Sequence, residues 1–352
     1  DQGGPEQTFE QSRIHARTLM PCSTATKQKR STGDPASFPA NPLEVVATTH
    51  YSNAAMKVLV TGSHGLIGRD LVNRLTGAGH YVVRLVRSHP DRSRGDAVWD
   101  PVRGHIERNQ IDGIDAVIHL AGENLLGLWT KGKRERIHRS RVAATEYLSE
   151  ALASLTHRPK VLLSASAIGY YGDQGDRWLT EASAHGKGFL AQLCREWEDA
   201  TAIARNAGIR VVTLRTGIVL SPRGGALASM LPVFKAGLGG PIGNGRHFMS
   251  WIVLDDLIDA ILYSLEHQDI SGPVNLTAPE PVTNRDFTKA LAQALRRPAF
   301  LPVPALLLRA LPGDMGRETL LSSARVQPEK LTRHGFTFAA PTIESAMQAL
   351  FP

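Results

Sequence analysis

Three glycines near residue 65 form the pattern in this chain with the most specific chemical meaning. Gly62, Gly65 and Gly68 have the spacing of a turn that holds the pyrophosphate of a dinucleotide. In such a turn the first glycine permits a tight bend, the second lets the backbone approach the phosphates, and the third allows a helix to pack closely on a strand. Leu66 and Ile67 then offer free N–H groups at the positive end of the helix dipole. We predict that these five residues bind a dinucleotide.

A basic residue beyond this turn indicates which dinucleotide. Enzymes that use NAD usually carry Asp or Glu roughly 20 residues further on, where it binds the ribose 2′-hydroxyl. This chain has Arg87 there, followed by Ser88. A guanidinium can pair with the 2′-phosphate of NADP through two parallel hydrogen bonds. The alternative is an exposed arginine in a polar loop; we favour the first interpretation, and NADP over NAD.

These residues need a strand, a turn and a helix in that order, and the flanking sequence predicts all three. Lys57-Val-Leu-Val-Thr-Gly62 is a short apolar run, and Leu66 to Ala78 has the apolar spacing of a helix. Later apolar runs predict strands at 81–86, 115–121, 160–164 and 210–215, with helical patterns at about 133–155 and 189–207. Strands that alternate with helices form right-handed crossovers. The predicted fold is α/β, a Rossmann-like doubly wound parallel sheet with a smaller C-terminal substrate-side region.

The composition changes along the chain suggest three regions. Residues 1–55 are polar and lack apolar periodicity, which predicts a disordered leader or tail whose origin the sequence leaves open. Residues 56–220 form the predicted NADP-binding domain, to which segments of 221–298 return, with helices at about 254–267 and 283–296. Residues 299–352 form a predicted small C-terminal domain.

The net charge of +7 raises the question of a nucleic-acid partner. Residues 1–55 contain five Lys or Arg and five Asp or Glu, so the whole excess lies in the rest of the chain. The densest basic run, Lys131 to Arg141, is interrupted by Glu135 and Ile137. A solvated helix face explains such a run better than a polyanion site does. We therefore predict no nucleic-acid partner.

Cysteine usage and hydropathy indicate the cellular compartment in which we expect the protein. The two cysteines, Cys22 and Cys194, have no CxxC spacing, which argues against a disulfide framework and a zinc site. No apolar run approaches the roughly 20 residues of a membrane span, and the N-terminus lacks the apolar core of a signal peptide. We predict a cytoplasmic protein without a metal site or a membrane partner.

Several longer motifs resemble one known family. The glycine turn, Val117-Ile-His-Leu-Ala-Gly122 and Ser164-Ala-Ser-Ala-Ile-Gly-Tyr-Tyr-Gly172 resemble the extended short-chain dehydrogenase/reductases, the NAD(P)-dependent epimerase/dehydratase group. The similarity is closer to an atypical branch described only as epimerase-like. This chain contains motifs similar to those of that branch: Ala121-Gly-Glu-Asn124, Ser140-Arg-Val142, Trp197-Glu198, Arg215-Thr-Gly-Ile-Val-Leu220, Gly237-Leu-Gly-Gly-Pro241 and Ser250-Trp-Ile252. Residues from about 299 resemble the C-terminal domain of unknown function in that branch, so the resemblance covers 56–352.

The resemblance implies that NADP(H) lies across the carboxyl ends of the strands. It assigns the pyrophosphate to Gly62 through Gly68, the 2′-phosphate to Arg87, and the adenine-side ribose to Leu120, Ala121 and Gly122. Arg141 falls where extended members usually carry an asparagine, ahead of a threonine that matches Thr145. The resemblance therefore implies that Arg141 faces the cofactor, while its place within a helix is equally typical of a surface salt bridge.

The chemistry that the family usually performs needs residues that this chain lacks. Typical members combine a serine with a Tyr-x-x-x-Lys pair, in which the lysine lowers the pKa of the tyrosine and the phenol transfers a proton. Ser166 or Ser164 supplies the serine, but Phe189 and Leu193 occupy the positions predicted for the pair. A phenyl ring cannot transfer a proton.

Two residues remain as the predicted catalytic groups, Ser166 and Tyr171, with Tyr170 as a neighbouring phenol. Other titratable residues near the expected loops are more typical of structural or solvated positions. They are Glu123, Glu181, Lys187 and His247.

Two functions of different classes follow. The first is an NADP(H)-binding oxidoreductase that exchanges hydride with an unknown carbonyl or carbinol substrate, or an epimerase or dehydratase that recycles its cofactor. The second is a noncatalytic NADP(H)-binding sensor or interaction protein, since the Tyr–Lys pair is missing beside an intact glycine turn. The resemblance is also compatible with a homodimer, because extended members often pack two helices per subunit into a four-helix bundle, and 135–155 and 189–207 correspond to those helices.

Overall fold

The structure, a computed structural model, describes residues 55–302 and 316–352. The predicted disorder of residues 1–55 therefore falls outside the described residues, apart from Ala55. The strands are β1 Lys57–Thr61, β2 Tyr81–Val86, β3 Ala97–Asp100, β4 His105–Ile106, β5 Ala116–His119, β6 Val161–Ala167, β7 Trp178–Leu179, β8 Arg210–Thr216, β9 Ile218–Leu220, β10 Phe248–Met249, β11 Trp251–Val253, β12 Gly272–Leu276, β13 Val282–Thr283 and β14 Arg325–Val326.

The described helices vary from one to more than three turns. They are α1 Leu66–Gly77, α2 Arg108–Ile111, α3 Lys131–Arg139, α4 Val142–Ala153, α5 Phe189–Asp199, α6 Ala202–Asn206, α7 Gly225–Lys235, α8 Leu254–Glu266, α9 Asn284–Ala294, α10 Glu329–Arg333 and α11 Ile343–Leu350. A short 3₁₀ turn, Ile168–Tyr171, directly follows β6.

An eight-stranded sheet forms the centre of the molecule, in the order β12-β8-β6-β5-β1-β2-β3-β4. Every pair of neighbours is parallel except β3 and β4. The order reverses direction at β1, so β1, β2 and β5 present their carboxyl ends at the switch point where dinucleotides bind in such sheets. This confirms the predicted fold class.

Alternating strand residues pack on opposite faces of this sheet, as the two-residue period of a strand requires. Val58 and Val60 point to the face covered by α1 and α8, where they join Leu71 and Leu257. Leu59 points to the opposite face and packs with Leu148 of α4. Apolar residues on both faces explain why the central strands read as continuous apolar runs.

The predicted helix at 133–155 is two helices in the structure. The break lies at Ser140 and Arg141, whose side chains turn back to the carbonyl of Ile137: the Ser140 hydroxyl donates to it at 3.0 Å and Arg141 at 3.4 Å. Such local side-chain bonds compete with the helical pattern. The predicted helix at 189–207 is likewise divided, into α5 and α6.

The sequence did not predict β12, which carries Pro273. Proline cannot donate to a ladder of hydrogen bonds, and it is therefore confined largely to edge strands. β12 is the edge of the central sheet, next to β8.

Among the residues described, no helix is both long and apolar enough to cross a bilayer. In the same part of the chain, no three His, Cys, Asp or Glu side chains are grouped as a metal site requires.

Candidate functional site

The glycine turn lies between β1 and α1 and has no room for side chains at two of its glycines. Gly62 has a φ of +69°, and a Cβ there would lie 2.8 Å from the carbonyl carbon of Leu120. A Cβ at Gly68 would lie 2.2 Å from the carbonyl oxygen of Gly62. The Gly65 N–H donates to this same oxygen at 3.0 Å and closes the turn.

The turn also offers hydrogen-bonding groups that no residue in the described ranges uses. α1 begins after Gly65 without a side-chain cap and without an acidic residue in its first turn, so its first N–H groups remain free. Within the described residues, the buried hydroxyl of Ser63 has no hydrogen-bond partner. Free N–H groups, a helix N-terminus and an unpaired hydroxyl fit the oxygens of a phosphate group.

Arg87 follows directly on β2, at the same edge of the sheet, and is exposed. The nearby acidic residues are engaged elsewhere: Asp96 accepts two hydrogen bonds from Arg84, at 2.7 and 2.8 Å, and Asp91 pairs with Arg94 at 3.2 Å. Arg87 itself makes no ion pair with any residue that the structure describes. An unpaired guanidinium thus lies at the position where the sequence predicts the 2′-phosphate site.

The end of β5 is fastened to β1 by buried hydrogen bonds. The Thr61 hydroxyl accepts from the N–H groups of Leu120 and Ala121, at 3.1 Å each, and contacts Nδ1 of His119 at 2.7 Å. On its other side, Nε2 of His119 contacts the Thr145 hydroxyl at 3.0 Å. Leu120 and Ala121, which the resemblance assigns to the ribose, are therefore held in place beside the glycine turn.

His119 must be neutral for these bonds to form. The Thr61 oxygen already accepts two hydrogen bonds, so its own proton goes to Nδ1, which leaves Nε2–H to donate to Thr145. Complete burial lowers the pKa of His119 from 6.5 to about 4, in agreement with a neutral ring.

This buried histidine predicts that the free energy of unfolding falls as the pH drops from 6.5 towards 4. The unfolded chain binds a proton at His119 in this range while the folded chain does not, so the expected loss is about 3 kcal/mol between these limits. Urea denaturation of the full chain between pH 7 and 5 measures the upper part of this change. His119→Gln should flatten the pH dependence, whereas His89→Gln, at an exposed histidine outside this network, should leave it as in the wild type. Equal slopes in His119→Gln and wild type would contradict the assignment.

Arg141 lies inside the structure rather than on its surface. It is 9% exposed, its guanidinium lies 5.1 Å from the Trp197 ring, and a Cβ at Gly122 would come within 3.3 Å of it. It forms no salt bridge with a residue in the described ranges, which excludes the surface salt bridge that the sequence left open. Burial lowers the pKa of this guanidinium. A buried cation without an acidic partner thus lies against Gly122.

Ser166, at the end of β6, belongs to a buried polar network. Its hydroxyl donates to Glu198 Oε1 at 2.7 Å, and Arg215 binds both oxygens of the same carboxylate at 2.8 Å. Arg215 also donates to the Tyr171 hydroxyl at 3.0 Å, and this hydroxyl donates to Asn275 Oδ1 at 2.7 Å. The network joins β6, α5, β8 and β12 at the carboxyl end of the sheet.

The position of Tyr171 contradicts the prediction that it transfers a proton. The side chain is completely buried, its hydroxyl is bound on both sides, and burial raises its pKa to about 12. A group of this kind holds the network together and has no access to a substrate. Its neighbour Tyr170 is only half-buried and lies with its ring 3.5 Å from the Arg215 guanidinium carbon.

The packing of α5 shows which of its side chains lie near the turn after β6. Leu190 and Cys194 lie nearest Gly169 in that turn, while Phe189, Leu190 and Leu193 share an apolar cluster with Trp129. The buried residues of α5 cover more than one face, so apolar spacing alone does not define where a Tyr–Lys pair would lie. Burial raises the pKa of the Cys194 thiol to about 12, so it remains a neutral thiol.

The sequence also left residues of this network unassigned. Glu198 and Arg215 belong to the family motifs, but the sequence does not reveal their pairing, although a charged residue within an apolar strand is itself a signal of a buried partner. Glu318 was missed because it lies far away in the chain: its carboxylate accepts from the N–H groups of Phe189 and Leu190, at 3.0 and 2.7 Å, and caps α5. Glu181 has a structural role, since it accepts from the backbone of Asn275.

Two family models match the chain. The model described as the NAD dependent epimerase/dehydratase family matches residues 58–276, and a domain of unknown function, DUF1731, matches residues 303–350.

Relatives match over nearly their whole length. An epimerase family protein of Mycobacterium bovis is 43% identical over 82% of this chain and 96% of that protein. A chloroplastic epimerase family protein SDR39U1 homolog of Arabidopsis thaliana is 35% identical over 89% of this chain and 92% of that protein. The crystal structure of human epimerase family protein SDR39U1 with NADPH superimposes with a TM-score of 0.77, at 31% identity, over 84% of this chain and 99% of that one.

Proposed function

Because this chain belongs to the NAD dependent epimerase/dehydratase family, we propose that it binds NADP(H) and exchanges a hydride with a carbonyl or carbinol group of a small-molecule substrate. One observation carries this proposal. The glycine turn Gly62–Gly68, here called the phosphate cradle, has free hydrogen-bonding groups, and Arg87, which makes no ion pair with a described residue, lies at the end of the neighbouring strand. The human relative of similar fold, crystallised with NADPH, supports the same cofactor.

The residues present fit this cofactor. The N-terminus of α1 and the Ser63 hydroxyl would hold the pyrophosphate, and Arg87 the 2′-phosphate. Leu120, Ala121 and Gly122 would line the ribose, and the buried cation of Arg141 would face the cofactor from behind Gly122. NADP(H), when bound, supplies or accepts the hydride.

The chain's own residues must bind and orient the substrate. Ser166 lies at the carboxyl end of β6 with its proton donated to Glu198, so its remaining lone pairs can accept a hydrogen bond from a substrate hydroxyl. An oxidoreductase consumes the cofactor stoichiometrically, whereas an epimerase or dehydratase restores it in each cycle, so net consumption of NADPH distinguishes these reactions.

A second candidate is a noncatalytic NADP(H)-binding sensor or interaction protein. One observation favours it: α5 contains neither tyrosine nor lysine, and the side chains that it places nearest Gly169, Leu190 and Cys194, do not transfer protons at neutral pH. This candidate predicts tight NADPH binding without turnover of any carbonyl compound.

Arg87→Ala is expected to weaken NADPH binding about 10- to 100-fold and to leave NADH binding nearly unchanged. The reason is that hydrogen bonds to charged groups contribute about 1.5–3 kcal/mol, and only NADPH carries the 2′-phosphate. Titration of the full chain with each nucleotide, followed by nicotinamide fluorescence, measures both affinities.

Arg103→Ala is the matched control, because this arginine is highly exposed and lies on the β3–β4 turn. It should change neither affinity. Equal NADPH binding by wild type and Arg87→Ala would remove the assignment of the 2′-phosphate to Arg87, and a wild type that binds neither nucleotide would overturn the proposed function as a whole.

A further inference from the structure

We propose that Tyr170 is the catalytic proton donor of this site and that Arg215 takes the place of the missing lysine. This inference rests on the proposed function. It identifies the proton donor, which in typical family members is the tyrosine of the Tyr–Lys pair. The replacement comes from other elements: the phenol from the turn after β6, and the cation from β8.

The two neighbouring tyrosines differ in what their hydroxyls do. The Tyr171 hydroxyl is buried between Arg215 and Asn275. The Tyr170 hydroxyl forms no hydrogen bond with any residue that the structure describes, and its side chain is half-buried. Of this pair, only Tyr170 has a proton that is not already committed within the protein.

The cation beside Tyr170 is fixed in position. The Arg215 side chain is 4% exposed and is bound through two hydrogen bonds to the Glu198 carboxylate. Its guanidinium carbon lies 3.5 Å from the centre of the Tyr170 ring. Negative charge that develops on the phenol as it gives up its proton therefore lies against this cation, which stabilises it. Arg215 is thus a positioning and charge-stabilising residue for Tyr170.

The predicted catalytic serine, Ser166, lies near the end of β6, the strand that leads into the turn with Tyr170. Tyr170 lies in the 3₁₀ turn Ile168–Tyr171 that follows the strand of Ser166, and Ser166 donates to the same Glu198 that anchors Arg215. Glu198 therefore sets the positions of both the serine hydroxyl and the cation. The remaining ring neighbours of Tyr170 are Tyr171, at 5.5 Å, and His185, at 6.1 Å between ring centres.

The proton step balances with the hydride that NADPH supplies. In reduction, the O–H bond of Tyr170 breaks while an O–H bond forms on the substrate's carbonyl oxygen, whose carbon receives the hydride. The phenolate of Tyr170 then takes a proton from water. In oxidation of a carbinol, Tyr170 acts as the base and the same steps run backwards.

The first test compares Tyr170→Phe with Tyr81→Phe, using a carbonyl substrate found by screening wild type with NADPH. Tyr170→Phe should lower kcat about 100-fold or more, the usual effect of losing a general acid, while the Kd for NADPH stays unchanged. Tyr81→Phe, at a 55% exposed tyrosine at the start of β2, should keep kcat within about threefold. Equal kcat in Tyr170→Phe and wild type would overturn the proposal.

The second test needs no substrate. Tetranitromethane nitrates accessible phenols, and peptide mass spectrometry locates the products. Saturating NADPH should protect Tyr170 and should not protect Tyr81, which is 55% exposed and lies at the opposite end of β2 from Arg87. Nitration of Tyr170 that is unchanged by NADPH would overturn the proposal even where no substrate is found. Failure of the proposed function has another signature, namely no binding of NADPH.

Discussion

Gly68→Ala is expected to raise the Kd for NADPH about 100-fold. A Cβ at this position would lie 2.2 Å from the carbonyl oxygen of Gly62 and 2.9 Å from the Cα of Ser63. Both are backbone atoms of the phosphate cradle, so the clash can be relieved only by moving the cradle away from α1. Such overpacking typically costs about 1–3 kcal/mol, and the displaced N–H groups would no longer converge on the pyrophosphate. Fluorescence titration of the full chain with NADPH measures the change.

Gly77→Ala is the matched control in the same helix. A Cβ at Gly77 meets no atom within 4 Å. Alanine is a better helix former than glycine, so this variant should bind NADPH as wild type does and should be slightly more stable, by about 0.5–1 kcal/mol. If Gly68→Ala bound NADPH as tightly as Gly77→Ala, the glycine turn would not be the phosphate site.

Glu198→Ala is expected to lower the free energy of unfolding by about 3–5 kcal/mol, the usual range when one partner of a buried ion pair is removed. The substitution leaves the Arg215 guanidinium, 4% exposed, without its carboxylate, and it also deprives the Ser166 hydroxyl of its acceptor. Urea denaturation at pH 7 measures the loss.

Glu135→Ala provides the comparison for this variant, because Glu135 pairs with Arg139 on the exposed face of α3. Exposed pairs contribute only about 0–1 kcal/mol, so this variant should remain close to wild type. A loss of less than about 1 kcal/mol in Glu198→Ala would mean that water reaches Arg215 and replaces the carboxylate. That result would also remove the fixed cation on which the role of Tyr170 depends.

Features that depend on neighbouring residues in the chain were predictable. The strand, turn and helix around Gly62 follow from an apolar run, glycine spacing and helical periodicity, all within about 20 residues. The parallel sheet followed from the alternation of strands and helices, and the structure confirms it. The short strands β3 and β4 were missed, since two to four residues carry too little pattern to be recognised.

Features that depend on tertiary contacts were not predictable. Nothing in the local sequence distinguishes Tyr170 from Tyr171; the difference arises because Arg215 and Asn275, from two other strands, enclose one hydroxyl and leave the other free. In the same way, apolar spacing on α5 does not reveal that Leu190 and Cys194 lie nearest Gly169, because that contact depends on how the helix packs on the turn after β6.

The Glu318 cap on α5 has a consequence for how the protein is made. The first N–H groups of this helix are satisfied by a carboxylate 129 residues further along the chain, and β7 likewise pairs with β14 near the C-terminus. A ribosome releases the chain from its N-terminus, and contacts this distant in sequence form late. The helix beside Ser166 therefore acquires its N-terminal cap only after the C-terminal segment has emerged, so this side of the site is completed late in synthesis.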